Sequence, residues 1–202
     1  MKNLCKIITT SMLVFTLGAC SSNETVSKSN TVSVHELSEK ENAILSTTSD
    51  KSFIFNFKVD DEYKEVRVWI EKYESGVLVD DRLNLITTEG EENGSIIFAT
   101  SKKDNSQKPL IFNIGISSDG STSSISSFDT DSVELDNMAS TWSHIPEKIT
   151  QIEGELVLAS ICYSSNGEMT SLTQDFYKDV DAHMNELEKY DVVYLLKTEF
   201  IN

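Results

Sequence analysis

Four acidic side chains lie within eight residues of a loop-like stretch in the second half of the 202-residue chain. They are Asp129, Asp131, Glu134 and Asp136. Hard cations such as Ca²⁺ take about six to eight oxygen ligands, and a flexible acidic loop can supply them. The spacing lacks the sixth-position glycine and the twelfth-position glutamate of an EF-hand loop. The cluster is therefore a weak calcium candidate, and a solvated acidic loop is the favoured interpretation.

The residue types that carry most enzymatic chemistry are present without a recognisable arrangement. His35, His144 and His183 stand apart from one another, at no metal-ligand spacing. The sequence holds no GxSxG, SxxK, CxxC or phosphate-binding glycine motif. Two distant carboxylates could still converge for glycoside hydrolysis, but 33 acids offer no basis for choosing a pair. We therefore name no catalytic residue and no cofactor, and we favour a non-enzymatic role.

Two aromatic side chains, Trp69 and Tyr73, project from one face of a predicted strand, and Val66 and Val68 occupy the opposite face. If that aliphatic face is the core, the aromatic face is exposed and can form a partner-binding surface. Burial of the two rings beneath a helix is the favoured alternative. Trp142, in an irregular stretch, is a weaker candidate for the same role.

The first nineteen residues have the three parts of a secretory signal. Lys2 and Lys6 make the start positive, and an apolar run from Ile7 to Leu17 follows. That run is too short to cross a hydrocarbon core, which needs about twenty apolar residues. Leu17-Gly18-Ala19-Cys20 then places an aliphatic residue and two small ones before a cysteine.

This four-residue sequence resembles the lipobox of bacterial lipoprotein precursors. The resemblance implies cleavage between Ala19 and Cys20 and transfer of a diacylglyceryl group to the Cys20 thiol. It further implies an extracytoplasmic protein that lipid anchors to the bacterial cell membrane, since two acyl chains suffice for stable attachment. Cys5 leaves with the signal, so Cys162 remains as an unpaired thiol in an apolar run, where we expect it to be buried.

The chain has 33 acidic and 17 basic residues and a net charge of −16. This excess argues against binding of nucleic acid, because phosphates must be met by Lys and Arg. It also argues against attachment to an anionic bilayer through a basic protein face. The expected partners are the membrane, through the lipid anchor, and an unknown envelope protein or polymer.

The residues that follow the lipidated cysteine, 20–50, are rich in Ser, Thr and Asn. This composition is typical of a flexible tether. Ser33 and Glu36 have capping-box spacing, so residues 34–46 form either a short helix or a continuation of the tether. We place a single β-rich domain at residues 51–202.

Apolar and polar residues alternate along several stretches of this domain, as they do in half-buried strands. The clearest examples are residues 53–57 and 110–116. Ser75-Gly76 and Asp119-Gly120 are typical turn signals. Asn93-Gly94 predicts a hairpin loop between neighbouring strands.

One stretch has helical rather than two-residue periodicity. Phe176, Val180, Met184 and Leu187 recur at spacings of four, four and three, which predicts a helix at about residues 173–190. About eight or nine short strands with one late helix favour a mainly antiparallel β-sandwich. An α+β fold, with the helix packed on an antiparallel sheet, is the alternative.

Location and architecture together favour a non-enzymatic binding or interaction module of the cell envelope. Fold class alone does not establish such a role. A hydrolase of cell-wall polymer or peptide is one alternative, and a substrate-binding or immunity-type lipoprotein is another. The lack of a recognisable catalytic motif in the sequence favours the binding module.

Overall fold

The computed structural model describes residues 30–102, 109–146, 148–167 and 169–202. The predicted signal, Cys20 and the first part of the predicted tether lie outside these ranges. Within them the chain forms two five-stranded antiparallel sheets that pack face to face. The prediction of a mainly antiparallel β-sandwich is confirmed.

The described residues form ten strands. In chain order they are β1 (Thr31–Val34), β2 (Ser49–Lys58), β3 (Glu65–Glu74), β4 (Val77–Glu89), β5 (Asn93–Ser101), β6 (Leu110–Ser118), β7 (Ser121–Asp129), β8 (Ala139–His144), β9 (Glu155–Ser164) and β10 (Val192–Ile201). The first sheet has the order β1-β2-β5-β6-β7, and the second has the order β4-β3-β10-β9-β8. Because β4 lies against β7, strands β1 and β8 lie on the opposite side of the sandwich.

Alternating side chains of both sheets form the core, as the two-residue periodicity predicts. In the first sheet Phe55 and Phe112 are fully buried, and in the second Val68 and Ile70 are. The ring of Phe112 lies 4.8 Å from that of Tyr194, so the two sheets interlock at this point. Burial of each large apolar side chain contributes about 1.5–3 kcal/mol to the free energy of unfolding.

Two of the predicted turns join neighbouring strands. Ser75-Gly76 links β3 to β4, with φ angles of 48° and 81°. Asp119-Gly120 links β6 to β7, with φ angles of 45° and 76°. Both central residues of such a tight turn need positive φ, which glycine and aspartate tolerate better than most residues. These two turn predictions are confirmed.

The hairpin prediction at Asn93-Gly94 is wrong. Both residues lie in β5, which pairs with β2 and β6, whereas the preceding β4 belongs to the other sheet. Gly94 does not have a positive φ. Glycine is required there because the site has no room for a side chain. A Cβ atom there would lie 2.4 Å from Cζ of Phe57 and 2.6 Å from the carbonyl oxygen of Ser117.

The domain begins earlier than the composition predicts, because β1 and helix α1 (Glu39–Thr48) lie within residues 31–50. Val32 pairs with Phe57 on one side and forms two backbone hydrogen bonds with Ile149 on the other. The strand has only four residues, which is too short for its alternation to stand out from a Ser- and Thr-rich background. The capping box of α1 is formed by Ser38 and Glu41.

The apolar stripe near the C-terminus does not form the continuous helix predicted at 173–190. Helix α2 (Val180–His183) is capped by Asp179, and a 3-10 helix (Met184–Lys189) follows it. Phe176 is buried, but it lies in a turn. Buried Glu186 accepts hydrogen bonds from the backbone N–H and the hydroxyl of Thr173, so tertiary contacts override helical periodicity here.

Candidate functional site

The predicted aromatic surface of β3 is buried. Trp69 and Tyr73 are only 5% and 7% exposed. The carboxylate of Glu71, between them, accepts a hydrogen bond of 2.7 Å from the Tyr73 hydroxyl and one of 2.9 Å from Nζ of Lys197. The same lysine nitrogen lies 5.5 Å from the centre of the Trp69 ring. The prediction that these two aromatics are exposed to a partner is therefore wrong.

Asp129, the first residue of the calcium candidate, is committed to a buried network. Its Oδ2 accepts a hydrogen bond of 2.6 Å from the Tyr194 hydroxyl and lies 2.9 Å from Nζ of Lys72. Asp129 also caps the 3-10 helix Thr130–Asn137 by accepting from the N–H of Asp131. Burial raises the pKa of this carboxyl, but these three donors outweigh burial and hold its pKa below its ordinary value.

The other calcium candidates do not extend this site. Asp131 is exposed, and the side chains of Glu134 and Asp136 lie outside what the structure describes. Across the described ranges, no group of three His, Cys, Asp or Glu side chains is placed to hold a metal ion. The carboxylate of Asp129 is better explained by the lysine and tyrosine that it contacts.

Cys162 is a packing residue of the second sheet. It is 1% exposed, and burial raises the pKa of its thiol to about 12, although hydrogen bonds from Ser160 and Thr141 act in the opposite direction. A thiol with that pKa is protonated at neutral pH and is a poor nucleophile. The geometry therefore supports the sequence interpretation of Cys162 as a buried small hydrophobe.

Three hydroxyl groups hold the C-terminal segment against this sheet. The Tyr177 hydroxyl lies 2.7 Å from Oγ of Ser143 and 2.8 Å from Oγ of Ser160. The three hydroxyls contact one another, and among the described residues no basic side chain is hydrogen-bonded to them, so the cluster is a structural anchor rather than an activated nucleophile.

The structure exposes Phe128 on β7 and also Trp142, which the sequence ranked below Trp69. It lies on β8 and is 53% exposed. The local sequence gives no signal for this exposure. On a strand, the side chains of Thr141 and Ser143 point to the face opposite that of Trp142, so their polarity favours burial of the ring.

Trp142 forms part of a groove of about 580 Å³ between the two sheets, which we call the Trp142 groove. Its lining includes Phe53 from β2, His144 from β8, and Gln174 and Tyr177 from the C-terminal segment. The rings of Phe53 and His144 meet edge to face, 5.9 Å apart. Its volume lies within the range of about 300–1,000 Å³ that is usual for ligand sites.

A buried lysine supports one side of Trp142. Nζ of Lys51 lies 5.0 Å from the centre of the indole ring and 2.6 Å from a carboxylate oxygen of Asp50. Lysine placed over an indole face is attracted by the electron density of the ring. The contact fixes the ring orientation while half of the side chain stays exposed to solvent.

The charge of the Trp142 groove differs from that of the protein as a whole. None of the described residues that line it is an Asp or Glu, although the chain has a net charge of −16. A larger groove of about 780 Å³, between residues 145–157 and 177–181, is lined by charges of both signs. One of its lysines, Lys197, is already paired with Glu71 and Glu155. The Trp142 groove is therefore the better candidate for a ligand without positive charge.

Several other exposed apolar side chains lie on other strands: Val77, Leu78 and Val79 in β4, Ile111 in β6, and Ile125 and Phe128 in β7. Ile44 of α1 and Met169 are exposed as well. Phe128 is 59% exposed and provides a natural comparison for Trp142. In the part of the chain that the structure describes, no helix is long and apolar enough to cross a membrane.

A family model described as the YgaN domain matches residues 31–200. The match begins at β1 and ends within β10, so it covers the whole sandwich. No curated protein gives a significant match, and no solved structure does either. The chain belongs to the YgaN domain family.

Proposed function

We propose that this protein is a lipid-anchored, non-enzymatic binding module of the bacterial cell envelope. The lipobox-like sequence that ends at Cys20 supports the location. Because β1 begins at Thr31, about ten residues separate the anchor from the sandwich. Such a linker, if flexible, has an end-to-end distance on the order of 20 Å. The domain then stands just clear of the lipid headgroups and faces other envelope components.

The observation that carries the proposal is the exposure of Trp142 in a preformed groove. Tryptophan is among the residues that contribute most to binding energy at interfaces. The indole ring contacts Lys51 and shares its groove with Phe53 and His144, so it offers apolar contact without prior rearrangement. The Asp129, Cys162 and Tyr177 groups, by contrast, are occupied by contacts that stabilise the fold.

Gentle solubilisation and co-purification of the anchored protein test this function. Wild-type protein is compared with Trp142→Ala and with Phe128→Ala, which removes an aromatic of similar exposure on the other side of the sandwich. We expect the specific partner to be lost only with Trp142→Ala. Equal recovery with all three proteins would contradict the assignment of the site.

Membrane anchorage is tested separately with Cys20→Ala. We expect this variant to lose labelling by a fatty-acid probe and to keep its signal uncleaved, which lowers its electrophoretic mobility. Wild-type and Cys20→Ala proteins that are both unlabelled and have the same mobility would contradict the lipid anchor.

A further inference from the structure

Strand β8 presents an open backbone edge to the Trp142 groove. Its partner β9 pairs with it in regular antiparallel register, and the N–H of Ile145 donates to the carbonyl of Leu158 at 2.9 Å. In an antiparallel ladder, hydrogen-bonded pairs alternate with non-hydrogen-bonded pairs. Counting back from Ile145, the backbone groups of Ser140, Trp142 and His144 therefore point away from β9. Within the described ranges, these groups have no backbone partner on that side.

Each of the other three edge strands has a described neighbour on its outer side. β1 is bridged to Ile149 through two backbone hydrogen bonds, and β4 and β7 lie against each other. Proteins usually cover or charge their edge strands because an open edge pairs with other chains. β8 contains no Lys, Arg, Asp, Glu or Pro that would prevent such pairing.

We propose that this edge binds an extended polypeptide segment by strand addition, with the added strand seated in the Trp142 groove. This inference rests on the proposed function and names its partner class. The added strand would exchange backbone hydrogen bonds with Ser140, Trp142 and His144, the usual source of affinity in this binding mode. Its side chains would alternate between the Trp142 ring and the C-terminal segment near Tyr177.

Charge complementarity defines the segment further. The described lining of the groove has no carboxylate, and the basic groups beside it already have acidic partners: Lys51 pairs with Asp50, and His35 contacts Glu41. An uncharged segment fits this surface, whereas an acidic segment would be repelled by a protein with a net charge of −16. A neutral glycan could also stack on Trp142, but it would leave the ordered row of backbone donors and acceptors on β8 without a matching partner.

The decisive variants separate backbone from side chain at Ser140. Ser140→Pro removes the outward N–H, and proline is tolerated on an edge strand when its missing donor faces away from the sheet. Ser140→Ala changes the side chain and keeps that N–H. Circular dichroism, together with slow exchange of the Thr141 amide that faces β9, verifies that both variants keep the β8–β9 ladder.

The probes are dodecapeptides selected from a random display library on the full-length lipidated protein in detergent micelles. Selected peptides should be uncharged, bind wild type and Ser140→Ala equally, and bind Ser140→Pro and Trp142→Ala at least about tenfold more weakly. One backbone N–H of the peptide is methylated at a time. Methylation should weaken binding at every second position and leave the affinity unchanged at the positions between.

Three results would overturn the inference: peptides that bind Ser140→Pro as tightly as wild type, a uniform response to N-methylation, or recovery of no peptide that depends on β8. Cell-wall glycan fragments that bind in a Trp142-dependent and Ser140→Pro-insensitive manner would also overturn strand addition, yet they would keep the proposed binding function. If neither the peptides nor the glycan fragments bind at this groove, the proposed binding function itself is contradicted.

Discussion

The hydroxyl of Tyr194 donates a hydrogen bond of 2.6 Å to the carboxylate of Asp129, and this bond joins the two sheets of the sandwich. Asp129 ends β7 of the first sheet, whereas Tyr194 lies in β10 of the second. Lys72 of the second sheet contacts the same carboxylate oxygen and also pairs with Glu74 at the surface. An acid that the sequence presents as a calcium candidate thus serves as a polar crosslink between the sheets.

Replacement of either partner in this crosslink should destabilise the fold by different amounts. Asp129→Asn leaves buried Lys72 with only Glu74 as an anionic partner and should cost about 3 kcal/mol. Tyr194→Phe removes one hydrogen bond to a charged group and should cost about 1.5–2 kcal/mol. Urea unfolding of wild type and both variants measures these values. An Asp129→Asn protein as stable as wild type would show that the ion pair does not hold the sheets together.

The same carboxyl predicts a specific dependence of stability on pH. The pKa of Asp129 is lower in the folded protein than in the unfolded chain, where it is about 3.9. Its contribution is therefore fully present above about pH 4 and is lost as the pH falls through the folded-state pKa. Urea unfolding at pH 6, 4 and 3 should show a smaller acid-induced loss for Asp129→Asn than for wild type. An equal acid-induced loss of unfolding free energy in the two proteins would contradict this assignment of the pH dependence to Asp129.

Cys162 should resist alkylation as long as the protein is folded. Burial and the raised pKa of its thiol leave almost no reactive thiolate at pH 8. Iodoacetamide treatment followed by mass spectrometry should find Cys162 unmodified in native protein and fully modified in concentrated urea. Rapid modification of the native protein would show that the second sheet opens or that the thiol is activated.

Gly94 should be intolerant of a methyl group, whereas Gly115 in the same sheet should accept one. A Cβ at Gly94 would clash with the Phe57 ring and the Ser117 carbonyl, but a Cβ at Gly115 meets Ile97 at an ordinary 3.7 Å. We expect Gly94→Ala to cost about 1–3 kcal/mol because the close-packed site cannot expand freely. Gly115→Ala should be neutral or slightly stabilising, since glycine weakens strands. Equal thermal stabilities for the two variants would contradict this packing.

Local alternation predicts the strands and two of the turns well because those features depend on few residues. Phe53 to Phe57 alternate as β2 requires, and Asp119-Gly120 supplies the positive φ of its turn. Asn93-Gly94 has the same local chemistry, yet it lies inside β5 because the chain crosses to the other sheet there. Such a crossing depends on contacts between distant segments, which local spacing does not record.

The candidate site was less predictable for a related reason. The alternation places Trp69 on the face of β3 that is opposite the aliphatic core face. In the structure that face is buried as well, as Glu71 and Tyr73 show. That second layer comes from residues more than a hundred positions away, such as Lys197. Trp142 is exposed because β8 is an edge strand, a position that only the sheet order reveals.

Site-specific photo-crosslinking in living cells tests the central claim most directly. A benzophenone amino acid replaces Trp142 in one full-length protein and Phe128 in another, two positions of similar exposure on opposite sides of the sandwich. We predict a discrete covalent adduct with one envelope component from position 142, and no such adduct from position 128. The absence of an adduct at position 142, or the same adduct from both positions, would contradict the proposal that the Trp142 groove is the binding site.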